Sequence, residues 1–381
     1  MVGRVLICPD KLKGCLTAAA AAALIAEALG EVWPGVACDR LPLADGGEGT
    51  LEVLAAARGE GVWRQTRVAG PHGEAVDARW WLGADGVAVV ESAEASGLAR
   101  THLRVPGAAC SGARASCCAR RRRRGRATSC SAWVAARWWT AARGPCARWA
   151  ARCSTRAGAR FRRGRLLVRL AQMVPAPFTV PITVLCDVQA PLVGPAGAAR
   201  VYGPQKGASP GEVAVLEAGL ARLGQVLADQ GRDPRAVAGA GAAGGLAGGL
   251  WGALGAILAS GFDVVAEAVG LDARVAAADL VITAEGQLDA QTAQGKVVSG
   301  VVRRASGRPV WVLAGAVTAA GEAALGPGVA VVPLAEGPGT LAEALAEAPA
   351  RLGRATRRAA RLYALGASAG GRASAMARMV Q

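Results

Sequence analysis

Val5–Thr50 has the sequence VLICPDKLKGCLTAAAAAALIAEALGEVWPGVACDRLPLADGGEGT. Val5–Pro9 is an apolar run of strand length, and Thr17 can cap a helix that continues to about Leu29 and is stopped by Gly30. Val36–Leu43 then predicts a second strand. A strand, a crossover helix and a strand in this order are typical of a parallel sheet, so this part of the chain predicts an α/β fold.

The same alternation of strands and helices continues along the chain. The next predictions are a helix over Thr50–Ala57, strands over Arg64–Val68, Ala78–Leu82, Val87–Glu91 and Val180–Cys186, a helix over Gly211–Gln230 and a glycine-rich loop over Gly239–Gly249. The last third repeats the rhythm at Leu280–Thr283, Val297–Arg304, Pro309–Gly315 and Val329–Pro333, with a final helix from about Leu341. A chain of 381 residues most often divides into two domains, so we expect two α/β domains, with the chain leaving the first near Trp63.

Composition excludes several classes of protein. The amino terminus lacks the pattern of a secretory signal, and the apolar stretch 239–257 is too rich in glycine for a membrane span, so we expect a cytoplasmic protein without a membrane partner. His72 and His102 are the two histidines of the sequence, which argues against a multi-histidine metal site. Outside the segment described next, four cysteines without metal-like spacing predict reduced thiols: Cys8, Cys15, Cys38 and Cys186.

Thr101–Gln172 differs in composition from the rest of the chain. Its 72 residues contain 18 Arg, no Lys, no Asp and no Glu, with 6 of the 10 Cys and 4 of the 10 Trp. The net charge of the whole chain is +16, so these arginines account for its basic character. One interpretation is a solvated or nucleic-acid-binding patch, centred on Arg120–Arg124, that neutralises phosphates.

The other interpretation is a shift of reading frame in a GC-rich gene. Tryptophan has a single codon, so reading one base out of step fixes some residues: Trp133 with Val134 gives Gly, Trp138 with Trp139 gives Val, and Trp139 with Thr140 gives Asp. Residues 130–144 can then decode as LGLGGSALVDGGAG, a glycine-rich loop of the kind that lets backbone amides approach phosphate. We favour the shift, and we expect the segment as translated to be disordered or loosely packed.

Polar residues follow several of the predicted strands, and open α/β sheets bind ligands at that end of their strands. Four glycine-flanked loops contain such residues: Asp10 to Gly14, Asp45 to Thr50, Asp187 with the later Gly203 to Ala208, and Glu285 to Lys296. Glycines admit a phosphate to the backbone, lysines neutralise it, and carboxylates hold magnesium or orient a hydroxyl nucleophile. Singly, each loop is equally well explained as a turn, a helix cap or a solvated charge. Together they favour phosphoryl transfer to a small alcohol.

The order of these phrases resembles the bacterial glycerate kinase family over residues 1 to 100 and 175 to about 370. The matching phrases are CPD at 8–10 with KG at 13–14, PLADGGEGT at 42–50, Glu91 with ASGL at 95–98, CDV at 186–188, GPQKGA at 203–208, GAGAAGGL at 239–246, and Glu285, Gly286, Asp289, Gln291, Thr292, Gly295 and Lys296. The family usually has Ser at the positions of Lys11 and Cys15, and an aromatic residue at that of Leu12. Its loop of the form GGSA, two residues, DGG is absent as translated and returns in the slipped frame.

The resemblance implies a flavodoxin-like domain built from residues 1–63 and 285–381, with a second α/β domain, residues 64–284, inserted into it. It implies transfer of the γ-phosphate of ATP, with Mg²⁺, to a hydroxyl of D-glycerate, giving 2-phosphoglycerate, or 3-phosphoglycerate where the other hydroxyl is modified. On this basis we assign the catalytic role to Asp10, Lys13, Asp45, Glu48 and Asp187, with one carboxylate as base. Lys206, Glu285, Gly286, Asp289 and Lys296 would place phosphate and magnesium. The alternatives are an impaired kinase-like protein and, less favoured, a nucleic-acid binder.

Overall fold

The computed structural model describes residues 2–70, 74–97, 132–135, 164–173, 180–289, 292, 297–305 and 307–379. These residues form two compact units. The first unit consists of Met1–Ala44 and Val265–Gln381, and the second of Asp45–Val264. The second unit is therefore an insertion in the sequence of the first.

The first unit is built on a five-stranded parallel sheet. Its strands are β1 (Arg4–Ile7), β2 (Ala37–Arg40), β9 (Leu280–Leu288), β10 (Val310–Val317) and β11 (Val329–Pro333), in the spatial order β11-β10-β9-β1-β2. The register pairs Ile7 with Ile282 and with Arg40. Counted within this unit, the order is 2-1-3-4-5, which is that of flavodoxin-like folds, so the predicted fold class is confirmed.

The helices of the first unit connect these strands. They are α1 (Ala18–Val32), α8 (Leu271–Ala276), α9 (Val297–Arg304), α10 (Ala319–Ala323) and α11 (Leu341–Met379). Thr17 caps α1 as predicted, because its side chain accepts the N–H of Ala20 at 3.1 Å. The core consists of the apolar faces of α1 and α11 packed with strand residues such as Val5, Ile7 and Ile282, all of which are fully buried.

The second unit contains a six-stranded mixed sheet. Its strands are β3 (Gly61–Ala69), β4 (Ala75–Gly83), β5 (Ala88–Glu91), β6 (Ala132–Ala135), β7 (Ile182–Leu185) and β8 (Ile257–Ala259), in that spatial order. β3, β4 and β5 are antiparallel neighbours, whereas the strands from β5 to β8 are parallel. Parallel strands need crossover connections, so this half of the sheet keeps the α/β character predicted from the sequence.

Five α-helices of the second unit are described. They are α2 (Thr50–Arg58), α3 (Ala93–Ser96), α4 (Ala198–Tyr202), α5 (Pro210–Ala228) and α6 (Ala242–Leu254); α7 (Gly261–Ala268) begins in this unit and ends in the first. Ser209 caps α5 in a reciprocal capping box with Glu212. The described part of this unit also contains two 3₁₀ turns, Gly164–Arg169 and Pro204–Lys206.

The compact units differ in extent from the predicted domains 1–63 with 285–381 and 64–284. The turn at Asp45 and helix α2 belong to the second unit, and β9 lies between β1 and β10 in the sheet of the first. The second unit, Asp45–Val264, therefore begins and ends about 20 residues earlier in the sequence than the predicted inserted domain, 64–284. Within the described part of the chain, no helix combines the length and apolar character that crossing a bilayer requires.

The expectation of a loosely packed segment over 101–172 falls mostly outside the described residues. It is wrong for the residues that are described. The backbone of Ala132–Ala135 pairs with β5 and with β7, and Leu167 and Leu170 are 4% and 1% exposed in a core cluster with α5. Leu167 and Leu170, three residues apart near the end of the segment, provide this packing.

Candidate functional site

In the first unit, the loop after β1 carries Asp10 and Lys13. The N–H of Asp10 donates to the carbonyl of Ala284 at 2.9 Å, which extends the pairing of β1 and β9 to the end of both strands. The carboxylate of Asp10 accepts the N–H of Lys11 at 2.7 Å and lies 3.3 Å from the Lys11 ammonium. Lys11, where the family usually has Ser, therefore neutralises the carboxylate that we assigned to catalysis.

Glu285 ends the buried part of β9 and is 6% exposed. Its Oε1 accepts the hydroxyl of Thr292 at 2.9 Å, and the same hydroxyl accepts the N–H of Asp289 at 3.1 Å. The N–H of Thr292 in turn donates to the carbonyl of Asp289 at 2.9 Å. Thr292 thus closes the loop that contains both predicted carboxylates. Lys296, the remaining predicted residue of this loop, lies outside the described residues.

Gly286 brings the loops of the first unit together. A side chain at Gly315 of β10 would begin 2.5 Å from the carbonyl oxygen of Gly286, so the two backbones approach too closely for any residue except glycine at 315. An atom placed at the Cβ position of Gly286 would lie 3.5 Å from the backbone nitrogen of Lys13. The structure therefore groups Asp10, Lys13, Glu285 and Gly286 at the carboxyl ends of β1 and β9, as predicted for a parallel sheet.

In the second unit, Asp45 begins a tight turn that leads into α2. Its carboxylate accepts the N–H of Gly47 at 2.9 Å, an interaction that stabilises turns of this type. Gly46 has φ +86°, and a Cβ there would lie 3.1 Å from the backbone of Leu185 and 3.2 Å from that of Gly261. The turn therefore packs backbone to backbone against β7 and the start of α7. Glu48, on the same turn, is half-buried.

Asp187 follows β7 and holds the amino terminus of α7. Its carboxylate accepts the hydroxyl of Ser260 at 3.1 Å, the N–H of Gly261 at 2.8 Å and the N–H of Phe262 at 3.1 Å. Burial raises the pKa of Asp187 from 3.8 to about 7, and the nearby charge of Asp45 acts in the same direction. Asp45 and Asp187 are therefore close enough to influence each other, as their shared assignment to catalysis requires.

Lys206 belongs to a different loop of the second unit. It ends the 3₁₀ turn Pro204–Lys206, and its ammonium lies 5.6 Å from the centre of the Tyr202 ring. The ten predicted site residues thus divide between the units. Asp10, Lys13, Glu285, Gly286 and Asp289 lie in the first, Asp45, Glu48, Asp187 and Lys206 lie in the second, and Lys296 is not described.

Sequence reasoning did not assign a site role to Glu91, Ser260 or Thr292. Glu91 is 6% exposed and accepts two backbone N–H groups of the Asp45 turn, while Ser260 and Thr292 donate to Asp187 and Glu285. A signal for Glu91 is present in the sequence, because an acidic residue ends the fully buried apolar strand β5. Thr292 belongs to the phrases that resemble the family, whereas Ser260 carries no comparable signal, since its partner Asp187 is distant in the sequence.

Several of the predicted site residues are carboxylates, which are typical magnesium ligands. No group of three or more His, Cys, Asp or Glu side chains in the described ranges is arranged to hold a metal. Magnesium in phosphoryl-transfer enzymes is usually held through one or two carboxylates together with substrate phosphates. Glu285 and Asp289, tied into one loop by Thr292, fit this smaller requirement.

Comparisons with known proteins agree with the resemblance. The model of the Glycerate kinase family matches residues 5–111 and 160–364. The chain is 33% identical to Glycerate 2-kinase of Escherichia coli (strain K12) over 327 residues, which is 83% of this chain and 86% of that protein. It is 35% identical to Glycerate kinase of Bacillus subtilis (strain 168) over 328 residues, 81% of this chain and 84% of that protein.

A solved structure gives the same result. A crystal structure from Salmonella typhimurium LT2, described as a candidate glycerate kinase 2, superimposes with a TM-score of 0.76 at 33% identity and covers 97% of this chain and 100% of that one. The family model matches both sides of the arginine-rich segment and leaves 112–159 unmatched. With most of its length matched in sequence and in fold, the chain belongs to the glycerate kinase family.

Proposed function

We propose that the protein transfers the γ-phosphate of ATP to D-glycerate and forms 2-phosphoglycerate. The observation that carries the proposal is the family match over 5–111 and 160–364, which includes every loop that contains a predicted site residue. The E. coli relative is named Glycerate 2-kinase, which favours the 2-hydroxyl over the 3-hydroxyl as acceptor. An ATP-dependent reaction on a small organic acid also suits the cytoplasmic location predicted from the sequence.

The residues of the first unit suit a role in handling phosphate. The backbone nitrogen of Lys13 lies 3.5 Å from the Cβ position of Gly286, and the ammonium of Lys13 would supply positive charge for a phosphate at this end of the sheet. Glu285 and Asp289 would hold Mg²⁺, which neutralises charge on the phosphate oxygens when it is bound. Asp10, paired with Lys11, would orient this loop rather than accept a proton.

In the second unit, Asp187 is the better of the predicted carboxylates for the role of general base. A base works best when its pKa lies near the operating pH, and that of Asp187 is raised to about 7. Ser260 and two backbone N–H groups hold its carboxylate in one orientation. Asp45, which contributes to this raised pKa, would position the acceptor, and Glu48 on the same turn would assist it. Lys206 would add positive charge for phosphate.

We further propose that the middle of the chain is read out of frame. The family model leaves the interval 112–159 unmatched. This interval lies inside the segment 101–172, which contains arginine but no lysine, aspartate or glutamate. The glycine-rich loop that the family carries there is recovered by reading one base out of step. A chain that lacks this loop would have reduced kinase activity, and this is the alternative of an impaired kinase-like protein.

The test is turnover of D-glycerate by the full chain with Mg-ATP, with the product distinguished by ³¹P NMR as 2- or 3-phosphoglycerate. Asp187→Asn and Lys13→Ala should each lower kcat/KM by about 10²-fold or more, as expected for groups that act in the transition state. The exposed Glu60→Ala change is the matched control and should have no effect.

Two outcomes would argue for the alternatives. Full activity of the Asp187→Asn variant would exclude Asp187 as base. Absence of glycerate turnover, together with strongly salt-dependent DNA binding that is lost on deleting residues 101–172, would instead support the nucleic-acid interpretation.

A further inference from the structure

Glu91 is a buried acidic residue of the second unit, and neither the sequence analysis nor the proposed mechanism gives it a role. It is the last residue of β5 and is 6% exposed. Its Oε2 accepts the N–H of Gly49 at 3.0 Å and the N–H of Leu51 at 3.1 Å. These two donors flank Thr50, the first residue of α2, and lie 42 and 40 residues before Glu91 in the sequence.

The two hydrogen bonds replace a local helix cap. The first N–H groups of a helix have no partner within the helix, and a side chain at the N-cap usually accepts one of them. Gly49 occupies the N-cap of α2 and has no side chain to do so. Glu91 supplies the missing acceptor from a neighbouring strand, so the start of α2 is attached directly to the sheet.

The turn that leads into α2 is thereby held at both ends. At its beginning, the carboxylate of Asp45 accepts the N–H of Gly47, and Gly46 packs on the backbone of Leu185 and Gly261. At its end, Glu91 holds Gly49 and Leu51. Asp45 and Glu48, both assigned to catalysis, lie between these two attachments.

The charges around Glu91 favour its neutral form. Burial raises the pKa of Glu91 to about 8, with Glu52, Glu94 and Glu48 acting in the same direction and the N–H of Leu51 opposing them. Arg79, the cation of this region, pairs with Glu52 and Glu94. A neutral carboxyl still accepts hydrogen bonds through its oxygen, so its attachment of the turn does not require a negative charge.

We propose that Glu91 is a positioning residue, whose carboxyl oxygen fixes the turn 45–50 and thereby sets the places of Asp45 and Glu48 for the reaction. This inference rests on the proposed function. It assigns no chemical step to Glu91, because the oxygen that it uses is engaged by two backbone donors of the turn.

Two substitutions in the full chain separate positioning from chemistry. Glu91→Gln keeps a carbonyl oxygen for both N–H groups and removes the titratable proton, whereas Glu91→Ala removes the acceptor. We expect Glu91→Gln to keep kcat/KM for glycerate within about threefold of the wild type and Glu91→Ala to lose about 10- to 100-fold, as small displacements of catalytic groups do. The loss should fall on kcat and on the KM for glycerate, with the KM for ATP unchanged, and Glu60→Ala should match the wild type.

Amide hydrogen exchange with residue-resolved mass spectrometry gives a second readout that needs no turnover. Exchange at Gly49 and Leu51 should accelerate at least about tenfold in Glu91→Ala and stay unchanged in Glu91→Gln. If the alanine variant does not fold, Glu91→Gln decides alone. Wild-type kcat/KM and wild-type exchange at Gly49 and Leu51 support the proposal, and loss of either contradicts it.

Equal losses of activity in Glu91→Gln and Glu91→Ala would overturn the proposal, since they would give the proton of Glu91 a chemical role. Unchanged exchange at both amides in Glu91→Ala would overturn it as well. A wild-type chain without glycerate turnover would contradict the proposed function instead, and the exchange experiment would still report on Glu91.

Discussion

At the scale of single residues, Asp187 couples the stability of the fold to pH. Its pKa is raised from 3.8 to about 7, so between these values the folded chain holds a proton that the unfolded chain has released. The stabilisation from this proton is fully present below about pH 4 and is lost as the pH rises through about 7. Asp187→Asn removes this titration, so its free energy of unfolding should improve relative to the wild type between about pH 5 and pH 8.

The measurement is denaturant unfolding of both proteins across this pH range. Glu91, whose pKa is also raised, is present in both proteins, so its contribution cancels in the comparison. A difference that does not vary with pH would contradict the assignment. In the same range, kcat/KM of the wild type should rise with pH as Asp187 loses its proton, if Asp187 is the base.

Gly46 gives a second prediction at this scale. Alanine at a positive φ costs about 1 kcal/mol, and at Gly46 its Cβ would also press on the backbone of Leu185 and Gly261, which adds about 1–3 kcal/mol. Gly49 is the matched control, because it has φ +90° in the same turn and open space around its Cβ position. Gly46→Ala should therefore unfold at a lower denaturant concentration than Gly49→Ala; equal midpoints would show that the close approach has no energetic consequence.

At the scale of elements, Thr292 closes the loop after β9. Thr292→Val keeps the shape of the side chain but removes the donor to Glu285, which would leave a buried carboxylate oxygen without that partner at a cost of about 1–3 kcal/mol. Thr292→Ser retains the hydroxyl and should stay close to the wild type. Thermal unfolding compares the two variants, and an equal fall in melting temperature would contradict the prediction, because it would mean that the methyl group stabilises the loop as much as the hydroxyl does.

Several elements could be predicted from sequence because local signals and tertiary packing agree there. β1 and α1 follow from an apolar run and the Thr17 cap, and β11 was predicted with its observed limits. Gly30 was wrongly expected to stop α1. The helix continues to Val32 and ends before Pro34 and Gly35, where φ reaches +84°, while Trp33 packs against Trp311.

The glycine-rich stretch 239–249 shows where local signals fail. It was predicted as a loop, yet α6 covers Ala242–Leu254 and includes left-handed conformations at Ala243, Gly244 and Gly245. A side chain at Gly252 would begin 2.7 Å from Leu227 of α5, and one at Gly245 would begin 2.7 Å from Leu220. Glycine is used here for close packing of helices, which composition alone does not distinguish from flexibility.

Only part of the candidate site could be predicted, because local sequence signals do not report contacts between distant residues. The residues after β1 and β9 could be placed together because adjacent parallel strands end at one edge of a sheet. The attachment of the Asp45 turn to Glu91, and of Asp187 to Ser260 and Gly261, depends on contacts between residues 40 to 74 positions apart. Periodicity and turn chemistry carry no information on such contacts.

At the scale of the whole molecule, the division into two units and the arginine-rich middle of the chain differ in how far they could be predicted from the sequence. The first unit is assembled from both ends of the chain, and its flavodoxin-like fold could be inferred only through the family resemblance. The limits of the units could not be inferred, because the chain passes from one unit to the other at Asp45 and within α7 without any break in the alternation of strands and helices. The segment without acidic residues is a separate matter, since the shift of reading frame that we propose for it concerns the gene rather than packing.

The last prediction concerns this segment. If the interval 112–159 is read out of frame, genomic DNA read one base out of step should encode GGSA, two residues and DGG near residues 133–142. A chain with that interval restored should phosphorylate D-glycerate at least about 10²-fold faster than the chain as translated, because backbone amides of such loops stabilise phosphate charge in the transition state. Arginines without acidic partners are costly to place in a protein core, so the restored chain should melt at a higher temperature. Equal turnover and equal melting temperature of the two chains would show instead that the arginine-rich sequence is a native and dispensable part of the protein.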